Sequence, residues 1–207
     1  MPPRSEIHPR STMKDLDRKK ELILERELAF ANAVGAAVFE KPKVSFWMVL
    51  VPLLFIYFIH RMQKYKNGRM KFDTDFMITR RRALDLAIET FEPGCRLNLK
   101  EALHQNGLSA ELEKPYATWM NVLVDHYRDL LAVEGDNYDT LVRRAYRTRA
   151  NYLLTLNRLN TVENEFYAAI KPKMAATEGA ANIISTIEEE SRRLRRDFAE
   201  QIFGGQS

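Results

Sequence analysis

The chain has 207 residues, of which 45% are hydrophobic and 29% are charged, and its formal net charge is +4. This composition excludes an intrinsically disordered chain, and so mild a charge gives little support to a nucleic-acid-binding protein. The single cysteine, Cys95, excludes an internal disulfide bond and fits a reducing cytoplasm.

The N-terminal region is predicted to hold a disordered lead followed by one helix. Residues 1–13 contain three prolines, and Met13 is a candidate for the true start. Residues 14–39 are predicted to form an amphipathic helix, whose second half, Leu28 to Phe39, carries no charge. That half is too short to span a bilayer. We therefore expect it to lie at the membrane surface, with packing on a helical domain as the alternative.

The most apolar stretch is VSFWMVLVPLLFIYFI, residues 44–59, which contains no charged residue. With His60 it forms the predicted membrane segment, 44–60. Sixteen helical residues span roughly 24 Å, which is short against a hydrocarbon core of about 30 Å. Basic and aromatic flanks lengthen and anchor such a segment, and a central proline favours a kink. The expected anchor residues are Lys43, Phe46, Trp47, Pro52, Tyr57 and Arg61.

Lysine and arginine near the segment predict its orientation. Residues 61–82 contain eight of them and residues 21–43 contain three, which places the C-terminal body in the cytoplasm. The predicted location is the inner, cytoplasmic membrane, crossed in a single pass. Because the charged N-terminal region is costly to translocate, a monotopic hairpin that turns at Pro52 and keeps both ends cytoplasmic is the alternative. A buried core helix is a third interpretation of the same stretch.

Residues 61–74 are predicted to be a basic connector. Beside a membrane, clustered basic side chains contact anionic lipid headgroups more simply than they contact nucleic acid. The expected headgroup-binding residues are Lys64, Lys66, Arg69 and Lys71.

Residues 75–135 are predicted to form a bundle of short helices. The helical spacing of apolar residues, a stop at Pro93-Gly94 and a cap at Gly107 divide this region into three helices. The third helix is predicted to begin at Ser109. Its expected buried face consists of Leu112, Tyr116, Trp119, Leu123, Tyr127 and Leu130.

Residues 136–203 are predicted to form a long antiparallel helical hairpin, followed by a tail over 204–207. The first helix is expected over 137–171 and the second over 177–203. Each carries an apolar seam with steps of three and four residues, which is typical of a coiled coil.

Two polar residues, Arg149 and Glu163, fall at positions of the first seam. Buried without partners they would be costly, but a polar residue in a seam can fix register or oligomeric state. This pattern leads to the hypothesis that the hairpin binds a second copy of the chain or another helical protein through its seam.

Two arginine clusters lie on the hairpin. The cluster at 192–196 is expected to be a solvated face, because Glu188 and Glu189 precede Arg192 and Arg193 by four residues and pair with them. The other cluster has fewer acidic neighbours. It is the predicted partner-binding site and consists of Arg143, Arg144, Arg147 and Arg149.

No residue pattern indicates catalysis. Glu101 and His104 have the spacing of two metal ligands on one helix face, but the second such pair that a di-iron site needs is missing. Asp125 and His126 are adjacent on a predicted helix and so point in different directions. Cys95 is a candidate palmitoylation site, with an idle or buried thiol as the alternative. We predict no catalytic residue, no metal ligand and no cofactor.

These patterns predict an all-α protein, with a single N-terminal membrane helix followed by a helical domain that ends in a long antiparallel helical hairpin. The predicted function is a non-catalytic scaffold, adaptor or assembly factor that is anchored in the membrane and faces the cytoplasm. Membrane lipid and a helical protein are the expected partners, and nucleic acid is not. The first alternative is a nucleic-acid-binding protein that buries 44–59 as a core helix. The second is a helical metalloenzyme.

Overall fold

The computed structural model describes residues 9–40, 68–91, 109–174 and 180–204. All regular secondary structure in these ranges is helical, which confirms the predicted all-α class. The helices are α1 (Pro9–Glu40), α2 (Gly68–Glu89), α3 (Ala110–Leu131), α4 (Tyr138–Tyr146), α5 (Arg149–Ile170) and α6 (Ala180–Phe203), with a short 3₁₀ helix (Lys171–Met174) after α5.

Five of these helices close into a ring around one core. α1 packs on α2, α2 on α3, α3 on α5, α5 on α6, and α6 on α1. The short helix α4 contacts α1, α3, α5 and α6 and thus covers one end of the ring. The regions predicted as a short-helix bundle, 75–135, and as a helical hairpin, 136–203, therefore share one core. The physical reason is that α3 and α5 bury their apolar faces against each other.

The predicted membrane segment, 44–60, lies outside the described residues. None of the helices within the described ranges is both long enough and apolar enough to cross a bilayer. The predicted helix from Asn98 to Asn106 and the residues Cys95, Glu101 and His104 lie outside those ranges as well.

α1 and α2 run antiparallel, as two ion pairs along their length show. Lys20 pairs with Asp85 at 2.8 Å, and Glu27 pairs with Arg80 at 2.9 Å. Residue numbers rise along α1 as they fall along α2, so the end of α1 lies beside the start of α2. The two helix ends that residues 41–67 join therefore lie at the same end of the ring.

That end of the ring is the one opposite α4. The part of α1 up to Arg26 lies beside α4, since Arg18 Nη2 donates to the carbonyl of Gly135 at 2.7 Å and Arg26 lies 5.4 Å from the centre of the Tyr138 ring. The second half of α1 points away from this cap. The C-terminal end of α1 and the N-terminal end of α2 thus lie at the end of the ring opposite α4.

The second half of α1 packs inside the ring. Phe30, Ala31, Val34 and Val38 are all buried. The expectation that Leu28 to Phe39 lies at the membrane surface is wrong, and the alternative of packing on the helical domain is what the structure shows. A helix face of small, uncharged residues can pack against lipid or against protein. Here it packs against α2 and α6.

Both helices that flank the predicted membrane segment are longer than expected. α1 begins at Pro9, within the predicted disordered lead 1–13, because proline needs no N–H partner in the first turn of a helix. α2 begins at Gly68, within the predicted connector 61–74, since the residues after Gly68 include good helix formers such as Arg69 and Met70.

The predicted helix over 137–171 is wrong as a single element, because it breaks between α4 and α5. Arg147 has a positive φ of 63°. Thr148 then caps α5, and its hydroxyl accepts the backbone N–H of Asn151 at 3.2 Å. The Asn151 side chain donates to the carbonyl of Tyr146 at 3.0 Å, which closes the end of α4. These local hydrogen bonds replace those of a continuous helix and stabilise the break between α4 and α5.

The break changes which seam residues are buried. Arg149 is exposed, whereas Glu163 is buried as the seam predicts. The apolar seam residues of α5 and α6 lie in the chain's own core. Because they are buried there, they are not available for the partner that the seam hypothesis expects. The residues of both seams that are buried there are Tyr152, Leu156, Leu159, Phe166, Ile170, Ile184, Ile187 and Leu194.

The substitution Arg147→Gly is expected to raise the free energy of unfolding by about 1 kcal/mol, because glycine adopts a positive φ without the strain that a side chain brings. Chemical denaturation followed by circular dichroism measures this change. The matched control is Arg158→Gly in the middle of α5, where Arg158 is exposed. There glycine is expected to lower stability by about 1 kcal/mol. Equal losses at both positions would show that Arg147 is unstrained.

A buried charged network and an adjacent cavity as the candidate functional site

Four charged side chains from four helices meet inside the ring. Arg80 of α2 donates from Nε to Glu27 of α1 at 2.9 Å, and from Nη2 to Glu163 of α5 at 3.2 Å. Arg195 of α6 pairs with the other carboxylate oxygen of Glu163 at 2.7 Å. Two positive and two negative charges therefore balance, and Glu163 bridges the two arginines. We call these four residues the charged network.

Three members of the charged network are almost completely removed from solvent, and the side chain of the fourth, Glu27, is 13% exposed. Arg80 and Glu163 are each 1% exposed, and Arg195 is 5% exposed. Such burial requires further hydrogen bonds, and the helices supply them. Arg80 also donates to the carbonyl of Phe76 at 3.2 Å, and Arg195 donates to the side-chain oxygen of Asn160.

The network stays ionised in the folded protein. Burial by itself would raise the pKa of Glu163, but the charges and hydrogen bonds of Arg195 and Arg80 outweigh it and hold that pKa below its ordinary value. Burial by itself would lower the pKa of Arg80, but Glu163 and Glu27 outweigh it and raise that pKa. Each charge is therefore kept by its partners rather than by water.

Aromatic rings enclose the network. The Arg80 guanidinium lies 3.7 Å from the centre of the Phe76 ring, and the Arg195 guanidinium lies 5.1 Å from that of Phe30. The rings of Trp119 of α3 and Phe166 of α5 pack in a tilted arrangement with their centres 5.3 Å apart. Cation–π contacts of this kind stabilise a desolvated guanidinium.

A cavity of about 30 Å³ adjoins the network on the side of α4. Such a volume exceeds the roughly 10–15 Å³ that one water needs. Polar groups from five helices converge on it, together with apolar walls. Its lining residues are Arg26, Glu27, Phe30, His126, Tyr138, Tyr152, Leu156, Leu159, Arg195 and Phe198.

His126 lies in the wall of this cavity and is 3% exposed. Its Nδ1 forms a hydrogen bond with the hydroxyl of Tyr146 at 2.5 Å, and the two rings stack. Burial, with a further effect from the charge of Arg195, lowers the pKa of His126 to about 4. Asp125 is exposed and points in a different direction from the buried His126, so the two residues do not form an acid–base pair.

The predicted anchor residues Lys43, Phe46, Trp47, Pro52, Tyr57 and Arg61 lie outside the described residues, as do Lys64 and Lys66. Arg69 and Lys71 lie in the first turn of α2 rather than in a connector. The predicted headgroup site is therefore split between the connection 41–67 and a helix of the ring.

Two of the predicted partner-binding arginines contact backbone carbonyls of the same chain. Arg143 donates to Ile202 at the end of α6 at 2.9 Å, and Arg144 donates to Glu134 just after α3 at 3.0 Å. The last carbonyls of a helix lack helical partners, so these cations stabilise helix ends.

The other two predicted partner-binding arginines lie at the break before α5. Arg149 is paired with Glu200 of α6, and Arg147 is exposed at the strained position. The structure brings the four arginines to one end of the ring, the end that α4 covers.

No group of three or more His, Cys, Asp or Glu side chains is placed to hold a metal ion within residues 9–40, 68–91, 109–174 and 180–204. Glu101 and His104 are not among these residues.

The sequence singled out only Glu163 of the charged network. Arg80 belongs to the run Arg80 to Arg82, which was counted only as positive charge near the membrane. Arg195 belongs to the cluster at 192–196, which was expected to be solvated. The seam position of Glu163 is the sequence feature that points to the network. A carboxylate at a buried position requires a cation beside it, although the sequence does not show which one.

A scan against protein-family models found no match to this chain, and searches of curated proteins and of solved structures found none either.

Removal of the bridging carboxylate is expected to destabilise the protein strongly. Glu163→Gln leaves two buried guanidinium groups with one carboxylate, so the free energy of unfolding should fall by about 3–5 kcal/mol. Glu165→Gln, two residues along the same helix and exposed, should change it by less than about 0.5 kcal/mol. Denaturant titrations of both variants measure the difference. A similar small effect for both would show that the network contributes nothing.

His126 is expected to make the protein less stable in acid. Its pKa is about 4 when folded and 6.5 when unfolded, so the unfolded state binds the proton first as the pH falls. The contribution of His126 to the free energy of unfolding is fully present above pH 6.5. It decreases as the pH falls toward 4, by a total of about 3 kcal/mol. Protonation of Glu163 lowers the free energy of unfolding further, but only below its ordinary pKa of 4.5. Unfolding curves at several pH values should show this slope, and His126→Gln should flatten it between pH 6.5 and 4.5. An unchanged slope in the variant would contradict the assignment.

Proposed function

We propose that the protein is a non-catalytic helical scaffold, adaptor or assembly factor that is anchored in the membrane and keeps its helical ring on the cytoplasmic face. The uncharged run 44–59 with its basic flanks supports the anchor. The observation that carries the proposal is the antiparallel pairing of α1 with α2. It brings the two helix ends that residues 41–67 join to the same end of the ring, opposite α4.

This pairing favours a monotopic anchor over a single pass. In a single pass, α1 and α2 would lie on opposite sides of the bilayer. The pairs Lys20–Asp85 and Glu27–Arg80 would then be broken, and Phe30 would lose its contact with the ring of Phe76 at 5.9 Å. We therefore propose that both ends of the run are cytoplasmic.

The length of the run agrees with this topology. Eight helical residues rise about 12 Å, whereas the hydrocarbon core is about 30 Å thick. A run of sixteen residues that enters and leaves on one face thus reaches no further than the middle of the bilayer. Pro52 stands at its centre, where a reversal of direction is needed.

The role of the anchored ring is to hold partners near the membrane at a raised effective concentration. The seam of α5 and α6 is occupied by the ring's own core, so the proposed partner surface is an outer face. Of the predicted arginines, Arg147 is the best placed, because it is exposed at the end far from the anchor. The expected partner is another helical protein with an acidic face.

The anchor is tested by carbonate extraction of membranes from cells that make the full chain. The wild type should stay in the membrane pellet. The double variant Leu53→Arg/Ile56→Arg should be released, since each arginine in the middle of a membrane segment costs about 2.5–3.5 kcal/mol. The matched control is Leu154→Arg, because Leu154 is 71% exposed on α5, and it should remain in the pellet.

The topology is tested in the same membranes by protease treatment of epitope tags at both chain ends. In inside-out vesicles both tags should be cut, and in spheroplasts both should be protected. Cleavage of the N-terminal tag in spheroplasts would support a single pass and would refute the monotopic topology alone. Release of the wild type by carbonate would refute the anchor itself.

A further inference from the structure

The cavity beside the charged network contains more positive than negative charge. Arg26, Arg195 and Glu27 line it. Arg80 pairs with Glu27, and Glu163 pairs with Arg195, so three guanidinium groups accompany two carboxylates in and next to the cavity. We propose that this cavity is a binding site for a small carboxylate anion, which supplies the missing negative charge. The inference does not depend on the membrane anchor.

Arg26 is the cation that the anion would neutralise. Arg80 and Arg195 each have a carboxylate partner, at 2.9 Å and 2.7 Å. The guanidinium of Arg26 instead stacks on the ring of Phe198 at 3.7 Å, and among the described residues it forms no ion pair. A planar guanidinium held against a ring offers two parallel N–H groups, which is the geometry that a carboxylate accepts.

Two phenols supply further donors. The hydroxyls of Tyr138 and Tyr152 lie 3.5 Å apart in the cavity wall, so one can donate to the other and the second to a bound anion. Burial raises the pKa of Tyr152 to about 12 and also raises that of Tyr138, so both phenols keep their protons at neutral pH. Hydrogen bonds from neutral hydroxyls to a carboxylate are short and strong.

The size and walls of the cavity suit a small carboxylate. A volume of about 30 Å³ is room for roughly two water-sized atoms, which matches the two oxygens of a carboxylate. Leu156 and Leu159 form a buried apolar wall. Arg26, Tyr138 and Phe198 are half-buried and so mark the side toward solvent.

The opposing charge of Glu27 is already neutralised. Glu27 also lines the cavity, but its carboxylate accepts the Nε–H of Arg80 at 2.9 Å. His126, the remaining titratable group of the wall, is uncharged at neutral pH and neither attracts nor repels the anion.

The test is a titration of the full chain with sodium formate or sodium acetate at constant pH and ionic strength, with sodium chloride as the balancing salt. The ring signals of His126 in an NMR spectrum should shift and saturate, and the unfolding temperature should rise. In Arg26→Gln, binding should be about tenfold to hundredfold weaker, which is the loss expected for one charged hydrogen-bonding partner. Tyr138→Phe should weaken it as well.

The matched control is Arg192→Gln, which removes an exposed arginine from α6 and should leave the titration unchanged. Circular dichroism establishes that each variant is folded, and if Arg26→Gln is not, Tyr138→Phe decides. A wild-type response that does not saturate, or that chloride produces equally, overturns the proposal. So does unchanged formate binding in the folded Arg26→Gln or Tyr138→Phe variant.

Discussion

The ring depends on the ion pairs that Glu163 makes with Arg80 and Arg195, and on the pair between Arg80 and Glu27. Removing such groups from water costs several kcal/mol per ion, and that cost is offset only when every charge has a well-placed partner. α1, α2, α5 and α6 each contribute one of these groups. The four helices must therefore come together for any one of these charges to be stable inside the core.

This requirement fixes how the helices slide against one another. Apolar faces with a period of 3.6 residues match again after a shift of one turn, about 5.4 Å. Such a shift would leave Arg80 far from both Glu27 and Glu163, in a core that excludes water. We infer that the apolar surface drives the ring to close, while the charged network selects one register. α3 contributes no charge to the network and is held instead by contacts such as Trp119 on Phe166.

Periodicity predicted the faces of individual helices, but not the contacts between them. All six residues of the expected α3 face, from Leu112 to Leu130, are buried. The heptad spacing through 137–171 concealed the break at Arg147, because capping by Thr148 is a local competition that periodicity does not record. Arg195 was assigned to a solvated face, because its partner Glu163 lies 32 residues away in the chain (195 − 163).

The same limit applies to the two apolar stretches of the first third of the chain. Leu28 to Phe39 and residues 44–59 both lack charge, and composition alone does not say whether lipid or protein surrounds them. For the first stretch, the burial of Val34 and Val38 in the core shows that protein surrounds it. For the second, hydrophobicity supports the proposed insertion into lipid equally for a chain that crosses the bilayer and for one that returns. Crossing would separate Glu27 from Arg80, at a cost of about 3–5 kcal/mol for a broken buried pair, whereas returning would leave the ring intact, and this difference is the reason why we propose a monotopic anchor.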